Sequence, residues 1–333
     1  METYDRSRLR IIRLLVQWSI FAMTTYAGVS FYFFARALEN GAVPAITRSP
    51  SVEGFMPIGA LMAFKLWLAG GVFDPVHPAA LVLFLLAVLT AFLLRKSFCA
   101  WVCPVGTLSD AVGKAGKRLF GRNFALPKFL DYPLRSVKYL LTAFFLYIIL
   151  VRMTLPEIVA FLETPYWKVA DVKLLAFFTE MSLTTQLTLG TLAGASLFYR
   201  NAWCRYLCPY GGLLGLLGAA SPVAVRRNET RCIRCGSCTK NCPSLLPVDR
   251  KEAVRSPECT GCLTCVSHCP AEGALDMALP GGRTLRPELF AAAVVALFFG
   301  GILAARLAGK WHSSVTPEEL MAIVPYLKAL AHP

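Results

Sequence analysis

Long apolar runs alternate with polar, turn-rich segments along most of the chain. A helix needs about 20 predominantly apolar residues to cross the hydrocarbon core of a bilayer, and slightly shorter runs also qualify. The pattern therefore predicts an all-α, polytopic membrane bundle of about five spans. The predicted spans are Leu9–Ala37, Ala79–Leu94, Tyr139–Leu155, Leu183–Tyr199 and Leu289–Ala305.

One further apolar segment, Phe55–Val72, differs from these runs because it contains the helix breaker Pro57 and several glycines. Such a segment favours an interfacial or re-entrant helix over a full span. Near the C-terminus the pattern predicts a short helix over Pro317–Leu330. Thr316 is its expected N-cap, because Glu319 follows three residues later.

The composition agrees with this architecture. Of the 333 residues, 56% are hydrophobic and 16% are charged, and the mean hydropathy is +0.55. A soluble domain has about 45–50% apolar and about 25% charged residues, so both departures indicate a membrane protein. The charge content is also too low for an intrinsically disordered chain.

The distribution of charge predicts an orientation. Basic residues outnumber acidic ones by 34 to 20, and the excess lies mainly in two segments. Segment 95–138 holds nine basic and two acidic residues, and segment 200–286 holds twelve and six. Because Lys and Arg accumulate on the cytoplasmic side, both segments and the N-terminus are expected inside and the C-terminus outside the cytoplasm. Membrane lipid is the expected partner. No nucleic-acid partner is expected, since no nucleic-acid-binding motif accompanies the basic excess.

All twelve cysteines lie in or next to the inner segments, where a reducing cytoplasm disfavours disulfides. Eight of them form two copies of the spacing Cys-x2-Cys-x2-Cys-x3-Cys-Pro, at Cys232–Pro243 and at Cys259–Pro270. Bacterial ferredoxins with two [4Fe–4S] clusters have this spacing. Gly236 and Gly261 suit the tight loops that place three thiolates on one cluster. The chain therefore contains a predicted two-cluster ferredoxin.

In two-cluster ferredoxins, each cluster takes three cysteines from one run and the last cysteine from the other run. The ligands predicted for the first cluster are Cys232, Cys235, Cys238 and Cys269. The ligands predicted for the second cluster are Cys259, Cys262, Cys265 and Cys242. Zinc is a weaker alternative, because a zinc site needs only two Cys-x2-Cys pairs. The pattern predicts one-electron transfer, with a purely structural cluster pair as the alternative.

The other four cysteines form a second internal repeat. Each copy reads Cys-x3-Cys-Pro and follows a predicted span that runs inward; the cysteines are Cys99, Cys103, Cys204 and Cys208. Cysteines four residues apart share one face of a helix. The helix start at each proline and the basic residues nearby are expected to favour thiolate over thiol. Those basic residues are Arg95, Lys96, Arg200 and Arg205.

The role of these four cysteines stays open at the level of sequence. The two pairs could converge into one four-thiolate metal site at the membrane face. They could instead act as redox-active thiols or as docking contacts for a partner. The non-functional alternative is that they only pack around the proline turns.

The combination of two Cys-x3-Cys-Pro motifs at the membrane edge with a two-cluster ferredoxin insert resembles the NapH/NosR/CcoG type of membrane polyferredoxin. The resemblance covers roughly residues 75–305 and includes all twelve cysteines. It implies an electron carrier of the bacterial cytoplasmic (inner) membrane. Members of this type support periplasmic nitrate reduction, nitrous oxide reduction or cytochrome oxidase assembly. The implied partners are therefore respiratory proteins, such as a periplasmic reductase or a cytochrome.

The sequence thus predicts three parts. Residues 1–225 form a membrane domain with four spans and both Cys-x3-Cys-Pro motifs, residues 226–286 a cytoplasmic α+β ferredoxin domain, and residues 287–333 the fifth span and an outer tail. The predicted function is electron transfer between the quinone pool or a cytoplasmic donor and a respiratory partner. Quinone is a further expected cofactor, which would make the chain a quinol dehydrogenase component, and no residue is assigned as catalytic. The alternatives are an accessory factor that reduces or delivers copper or iron, and a redox-sensing regulator.

Overall fold

The computed structural model describes residues 6–327 and is mostly helical. The first α-helices are α1 (Arg6–Glu39), α2 (Pro57–Gly70), α3 (Pro78–Leu94), α4 (Ser97–Trp101), α5 (Pro104–Phe120) and α6 (Lys128–Leu146). They are followed by α7 (Leu155–Leu162), α8 (Pro165–Lys168), α9 (Ala170–Thr179), α10 (Leu183–Phe198) and α11 (Pro209–Ala219). The last are α12 (Ser237–Lys240), α13 (Thr264–Ser267), α14 (Pro287–Leu307) and α15 (Pro317–Ile323).

Shorter helical turns and a small sheet complete the fold. The 3-10 turns are Pro50–Phe55, Val248–Arg250, Pro280–Gly282 and Val324–Tyr326, and the π-helical turns are Tyr147–Arg152 and Trp203–Leu207. The strands are β1 (Ala224–Arg227), β2 (Ala253–Val254), β3 (Leu275–Ala278) and β4 (Thr284–Leu285).

Three helices of the described chain are long and apolar enough to cross a membrane. They are α1, α14, and α6 together with the π-helical turn that extends it to Arg152. The other two predicted spans coincide with α3 and α10, which have 17 and 16 residues. Both are shorter than the roughly 20 residues that a helix needs to span the bilayer. The helical character of the chain is confirmed, whereas the number of about five spans stays a prediction.

The chain folds into two compact units. The ferredoxin unit comprises residues 6–21, 86–142 and 192–300 of the described chain, and the second unit comprises residues 22–85, 143–191 and 301–327. A core cluster of the second unit packs the inward face of α1 against α9 and α15; its members include Phe31, Phe34, Leu38, Val172 and Leu320. The predicted N-cap of the C-terminal helix is confirmed, since the Glu319 N–H donates to the Thr316 hydroxyl at 3.3 Å.

Buried polar contacts fix the loops of the second unit. Glu53 accepts the Ala80 N–H at 3.1 Å at the start of α3, and the same N–H also donates to the His77 carbonyl oxygen at 3.2 Å. The Arg48 guanidinium donates to the Asp171 carboxylate at 2.8 Å. Because buried charges are costly unless they are paired, these contacts hold the loop before α2 in one position.

The sheet lies in the ferredoxin unit and has the order β2-β1-β3-β4, with all three pairings antiparallel. Val225 of β1 lies opposite Val254 of β2 on one side and Met277 of β3 on the other. All three side chains are buried, so they form the core beneath the ligand loops. An α+β segment between two apolar helices, as the sequence predicts, is therefore present.

Candidate functional site

Both ferredoxin runs have the same backbone course. The second and fourth residues after the first cysteine are left-handed in each run: Arg234 (φ 53°) and Gly236 (φ 69°), then Gly261 (φ 58°) and Leu263 (φ 55°). Glycine adopts this conformation without steric cost, whereas Arg234 and Leu263 are strained by it. Strained residues persist where the surrounding fold holds them, and they concentrate at functional loops. The shared geometry shows that both runs form the same kind of ligand loop.

The structure brings together the four cysteines predicted for the second cluster. Cys242, Cys259, Cys262 and Cys265 line a single cavity. Burial and the proximity of the other three thiols raise the pKa of Cys265 well above its usual value. The free Cys265 thiol is therefore neutral, and a bound metal would have to displace its proton. The donor set and the cavity fit an iron–sulfur cluster held by one thiolate from the first run and three from the second.

The cysteines predicted for the first cluster are arranged across the same two runs. Cys238 and Cys269 are close enough for their thiols to interact electrostatically, although one belongs to each run. The hydroxyl of Ser237 donates to the His268 carbonyl oxygen at 3.0 Å and ties the two runs together at this point. The fourth cysteine of the second run therefore faces the first ligand loop.

The two ligand sets differ in exposure. In the first set Cys235 is exposed and Cys232 is partly exposed, and Ile233 between them is 65% exposed. The backbone N–H of Arg234 and the guanidinium of Arg227 lower the pKa of the Cys232 thiol. In the second set Cys242 and Cys265 are buried and the other two cysteines are partly exposed, so the first set is the more exposed of the two.

Basic side chains from outside the ferredoxin segment reach the second ligand set. Arg13 of α1 donates to the Thr264 hydroxyl at 2.8 Å. Burial raises the pKa of the Cys262 thiol, but the charge of Arg13 and nearby hydrogen bonds lower it overall. The charge of Arg95 acts in the same direction on Cys259, although burial keeps the pKa of that thiol raised. Positive charge beside cluster thiolates stabilises their negative form.

Three further contacts hold the second ligand loop, and spacing in the sequence gave no signal for any of them. Trp101 donates its indole N–H to the Gly261 carbonyl oxygen at 3.1 Å. Lys138 donates to Glu258 at 2.7 Å, and the Tyr139 hydroxyl donates to the other carboxylate oxygen of Glu258 at 2.6 Å. The basic segment before the ferredoxin thus forms part of the site and is more than an orientation signal.

The two Cys-x3-Cys-Pro motifs lie against each other. The ring of Phe98, next to Cys99, meets the ring of Tyr210 edge-on, with centroids 6.1 Å apart. Cys99 and Tyr210 also pack on the same buried cluster, which consists of Ala87, Ala91 and Leu214. Every one of the six pairs among the four thiols is close enough for an electrostatic interaction. The structure therefore gathers Cys99, Cys103, Cys204 and Cys208 in one place.

The second cysteine of each motif caps a helix. Cys103 is the N-cap of α5 and Cys208 is the N-cap of α11, and a proline follows each of them. The Gly211 N–H donates to the Cys208 sulfur at 3.2 Å, and the Gly106 N–H makes the corresponding contact with Cys103. Free N–H groups at a helix start stabilise negative charge on the atoms they face.

The expectation that the helix starts and basic residues favour thiolate over thiol is wrong for Cys99, Cys103 and Cys204. Burial raises the pKa of Cys99 to about 11 and that of Cys204 to about 12, and it raises the pKa of Cys103 well above its usual value. Burial outweighs the helix starts, because removing a thiolate from water costs more than nearby dipoles return.

The basic residues of the motifs also point in different directions. Lys96 is buried and its charge acts on the Cys99 and Cys204 thiols. Arg200 instead pairs with Asp110 at 2.6 Å, and Arg205 pairs with Asp131. The sequence does not distinguish Lys96, which lies near the thiols, from Arg200 and Arg205, which form ion pairs elsewhere, because the difference depends on tertiary packing.

Within residues 6–327, no three His, Cys, Asp or Glu side chains are placed to hold a single metal ion. This holds for both ferredoxin ligand sets and for the four thiols of the Cys-x3-Cys-Pro motifs.

Comparison with known families defines the class of protein. A family model described as a 4Fe-4S binding domain matches residues 76–123 and 183–228, the two stretches that contain the Cys-x3-Cys-Pro motifs. A second model, described as a 4Fe-4S dicluster domain, matches residues 224–270. Together with the ligand loops described above, these matches define an iron–sulfur electron-transport protein.

Curated relatives narrow the class to a family. The chain is 42% identical over 327 residues to the "Putative electron transport protein YccM" of Escherichia coli (strain K12), covering 96% of this chain and 91% of that protein. It is 28% identical over 200 residues to the "Ferredoxin-type protein NapH" of the same organism, covering 56% and 63%. It is 28% identical over 172 residues to the "Regulatory protein NosR" of Pseudomonas aeruginosa, covering 51% and 23%. The chain belongs to the NapH/NosR type of membrane polyferredoxins, and no solved structure matches it.

Proposed function

We propose that this protein is anchored in the cytoplasmic membrane and carries electrons between the quinone pool or a cytoplasmic donor and a respiratory partner. The observation that carries the proposal is the pair of matched ferredoxin ligand loops inside a chain with membrane-length helices. When bound, two [4Fe–4S] clusters supply one-electron chemistry and need no substrate at the iron, because cysteine occupies all four ligand positions.

The ligand assignment follows the crossed pattern. Cys242 shares a cavity with the three cysteines of the second run, which supports its role as the fourth ligand of the second cluster. The proximity of Cys269 to Cys238 supports its role in the first cluster, beside Cys232 and Cys235. Pro243 and Pro270 follow the two crossing cysteines and prevent the chain from continuing as a helix there.

The difference in exposure between the two ligand sets suggests that a soluble redox partner docks next to the first set. The exposed first set is surrounded in sequence by a basic stretch, since residues 226–255 hold eight basic and three acidic residues. Complementary charge guides electron carriers to each other and speeds their encounter. An acidic cytoplasmic redox protein would fit this surface. The buried second set lies beside Arg13 and Trp101 and is therefore assigned to the membrane side of the chain.

The proposed topology keeps five spans, with the N-terminus and residues 226–286 in the cytoplasm and the C-terminal tail outside. The basic residues of segments 95–138 and 200–286 support this orientation. Helices α3 and α10 are the remaining two of the five spans. Neighbouring residues or local thinning of the bilayer compensate for their short length, because hydrophobic mismatch costs only fractions of a kcal/mol per Å.

Electron transfer can be measured with the full-length protein in lipid nanodiscs. Protein reduced with dithionite and freed of excess reductant is mixed with decylubiquinone, and reoxidation is followed by cluster absorbance. We expect Cys238→Ser and Cys265→Ser to abolish most of the absorbance change while membrane insertion is retained. Ser136→Ala, at an exposed position whose hydroxyl bonds only within its own helix, serves as the control. Reoxidation at the wild-type rate and amplitude in both cysteine variants would refute the proposal.

A further inference from the structure

Arg95 is a buried arginine in the turn after α3, outside the ferredoxin segment. Its backbone is left-handed (φ 62°), a conformation that strains a residue with a Cβ. The Arg95 N–H donates to the Ser221 hydroxyl at 3.1 Å, and that hydroxyl donates to the Leu93 carbonyl oxygen at 3.1 Å. Such strain persists where the surrounding fold holds the residue, and it concentrates at functional sites.

The guanidinium group of Arg95 has unused hydrogen-bond donors. Its Nη2 atom donates to the Ser256 carbonyl oxygen at 2.9 Å, on the segment that leads into the second ligand loop. The Nε and Nη1 atoms are buried and have no hydrogen-bond partner among the described residues. A buried charge is costly unless it is paired and hydrogen-bonded, and a carbonyl oxygen carries no net charge. The surroundings of this side chain therefore fit an anionic group with acceptor atoms.

The side chain of Arg95 lies against the second ligand loop. A Cβ on the left-handed Gly261 would stand 3.3 Å from the Arg95 Cβ. The charge of the guanidinium and a hydrogen bond from it both act to lower the pKa of the Cys259 thiol, although burial outweighs them. The anionic acceptors that fit here are the cysteine sulfurs and the sulfides of the second cluster.

The first ligand loop also has an arginine, but in a different electrostatic setting. Arg227 lies beside Cys232, the first cysteine of its run. Arg95 has the corresponding place beside Cys259 in the second run. Arg227 is paired at 2.5 Å with the carboxylate of Glu229, whose side chain is 68% exposed. The carboxylate and the nearby solvent weaken the effect of the Arg227 charge, whereas the charge of Arg95 is fully buried.

We propose that Arg95 is the counter-charge of the second ferredoxin cluster and raises its midpoint potential through its positive charge and its unused N–H donors. The inference rests on the second cluster of the proposed function and assigns a residue outside the ferredoxin segment to it. Reduction adds one electron and breaks no bond, so the reduced cluster is the more negative form. The guanidinium stabilises that form more strongly than the oxidised one.

The raised potential has a consequence for transfer between the clusters. Hydrogen bonds to sulfur, net charge and solvent exposure set the potential of an iron–sulfur cluster. Burial disfavours added negative charge, so the more buried second cluster would be harder to reduce than the first if burial acted alone. Arg95 offsets this effect and keeps the second cluster reducible by an electron that enters at the more exposed first one.

A redox titration followed by EPR tests the proposal with the full-length protein in lipid nanodiscs. The signal that is lost in Cys265→Ser identifies the second cluster. We expect Arg95→Gln to lower the midpoint potential of this cluster by about 59 mV or more, which is a tenfold change in a one-electron equilibrium. The potential of the first cluster should stay as in the wild type.

Two further variants separate charge from packing. Arg95→Lys keeps the positive charge and the same backbone strain but has fewer donors, so the potential of the second cluster should lie between those of the wild type and Arg95→Gln. Arg227→Gln is the matched control and should leave that potential unchanged. A shift in Arg95→Lys as large as that in Arg95→Gln would show that the shape of the side chain, and not its charge, matters.

The outcomes distinguish this inference from the proposed function. A wild-type protein with two reducible clusters, and with the same potential of the second cluster in Arg95→Gln, would overturn the inference alone. A wild-type protein without reducible clusters would count against the proposed function. If Arg95→Gln does not fold or does not retain the second cluster, Arg95→Lys is compared with the wild type. An unchanged potential of the second cluster in that variant would then overturn the inference.

Discussion

At the scale of single residues, Glu258 is a buried carboxylate that connects the second ligand loop to α6. Its carboxylate accepts from Lys138 at 2.7 Å and from the Tyr139 hydroxyl at 2.6 Å. Burial raises the pKa of Glu258, but the charges of Lys138 and Lys96 outweigh burial and lower it overall. The carboxylate is therefore ionised at neutral pH. It lies next to Cys259 in sequence and anchors the second ligand loop to α6.

We expect Glu258→Gln to destabilise the protein, because it leaves the fully buried Lys138 ammonium without a counter-charge. Breaking one partner of a buried ion pair costs about 3–5 kcal/mol. Lys138→Met combined with Glu258→Gln should recover part of this loss, since both charges are then absent. Thermal loss of cluster absorbance in detergent measures the difference. A double variant that is as unstable as the sum of both single variants would contradict a direct coupling between the two side chains.

At the scale of elements, α5 connects distant parts of the ferredoxin unit. Its Asp110 carboxylate pairs with Arg200 at 2.6 Å, lies 3.6 Å from Arg13 of α1 and meets Lys114 one turn further on. Burial alone would raise the pKa of Asp110, but these charges lower it to about 2. Close packing accompanies the ion pairs, since a Cβ on Gly116 would collide with the Leu197 carbonyl oxygen at the end of α10.

Gly116→Ala is therefore expected to push α5 away from α10 and to destabilise the protein by about 1–3 kcal/mol, the usual cost of overpacking. Gly190→Ala in α10 is the matched control, since nothing lies within 4 Å of the added methyl group. The two variants are compared by their thermal stability in detergent. Indistinguishable behaviour would show that the close approach of α5 and α10 is unimportant.

The elements also show which parts of the site follow from sequence. The ferredoxin loops are predictable because three cysteines and a glycine within a few residues determine the local geometry. The positions of Lys96 and Glu258 are not, because each depends on contacts between segments far apart in the chain. The thiolate expectation failed for the same reason: helix starts are visible in the sequence, but the burial of Cys99 and Cys204 is visible only after packing.

At the scale of the whole molecule, hydrophobic runs predict helices more reliably than they predict spans. All five runs form helices, but only α1, α14 and the extended α6 have the length and hydropathy expected of a membrane crossing in the described chain. Helix α10 has polar threonines along it, and these bond to carbonyl oxygens within the helix, as Thr188 and Thr191 do. Such internal bonds satisfy the hydroxyl groups and make a polar helix compatible with a lipid environment.

Reporter fusions test the five-span topology. We expect an extracytoplasmic signal for fusions at residues 60 and 325 and a cytoplasmic signal at residue 120. The positive-inside rule is the physical reason, since nine basic residues lie in segment 95–138 and only two lie in segment 40–78. A cytoplasmic signal at residue 325 would mean an even number of spans and would refute the five-span arrangement.

EPR with spin quantitation shows whether the chain is an electron carrier built on two ferredoxin clusters. The anaerobically purified full-length protein is measured before and after reduction with dithionite. Two ferredoxin clusters should give a reducible [4Fe–4S] spectrum of at least about two spins per chain, diminished in Cys238→Ser and in Cys265→Ser. Zinc at these cysteines, or iron without a reducible signal, would contradict the role of the chain as an electron carrier.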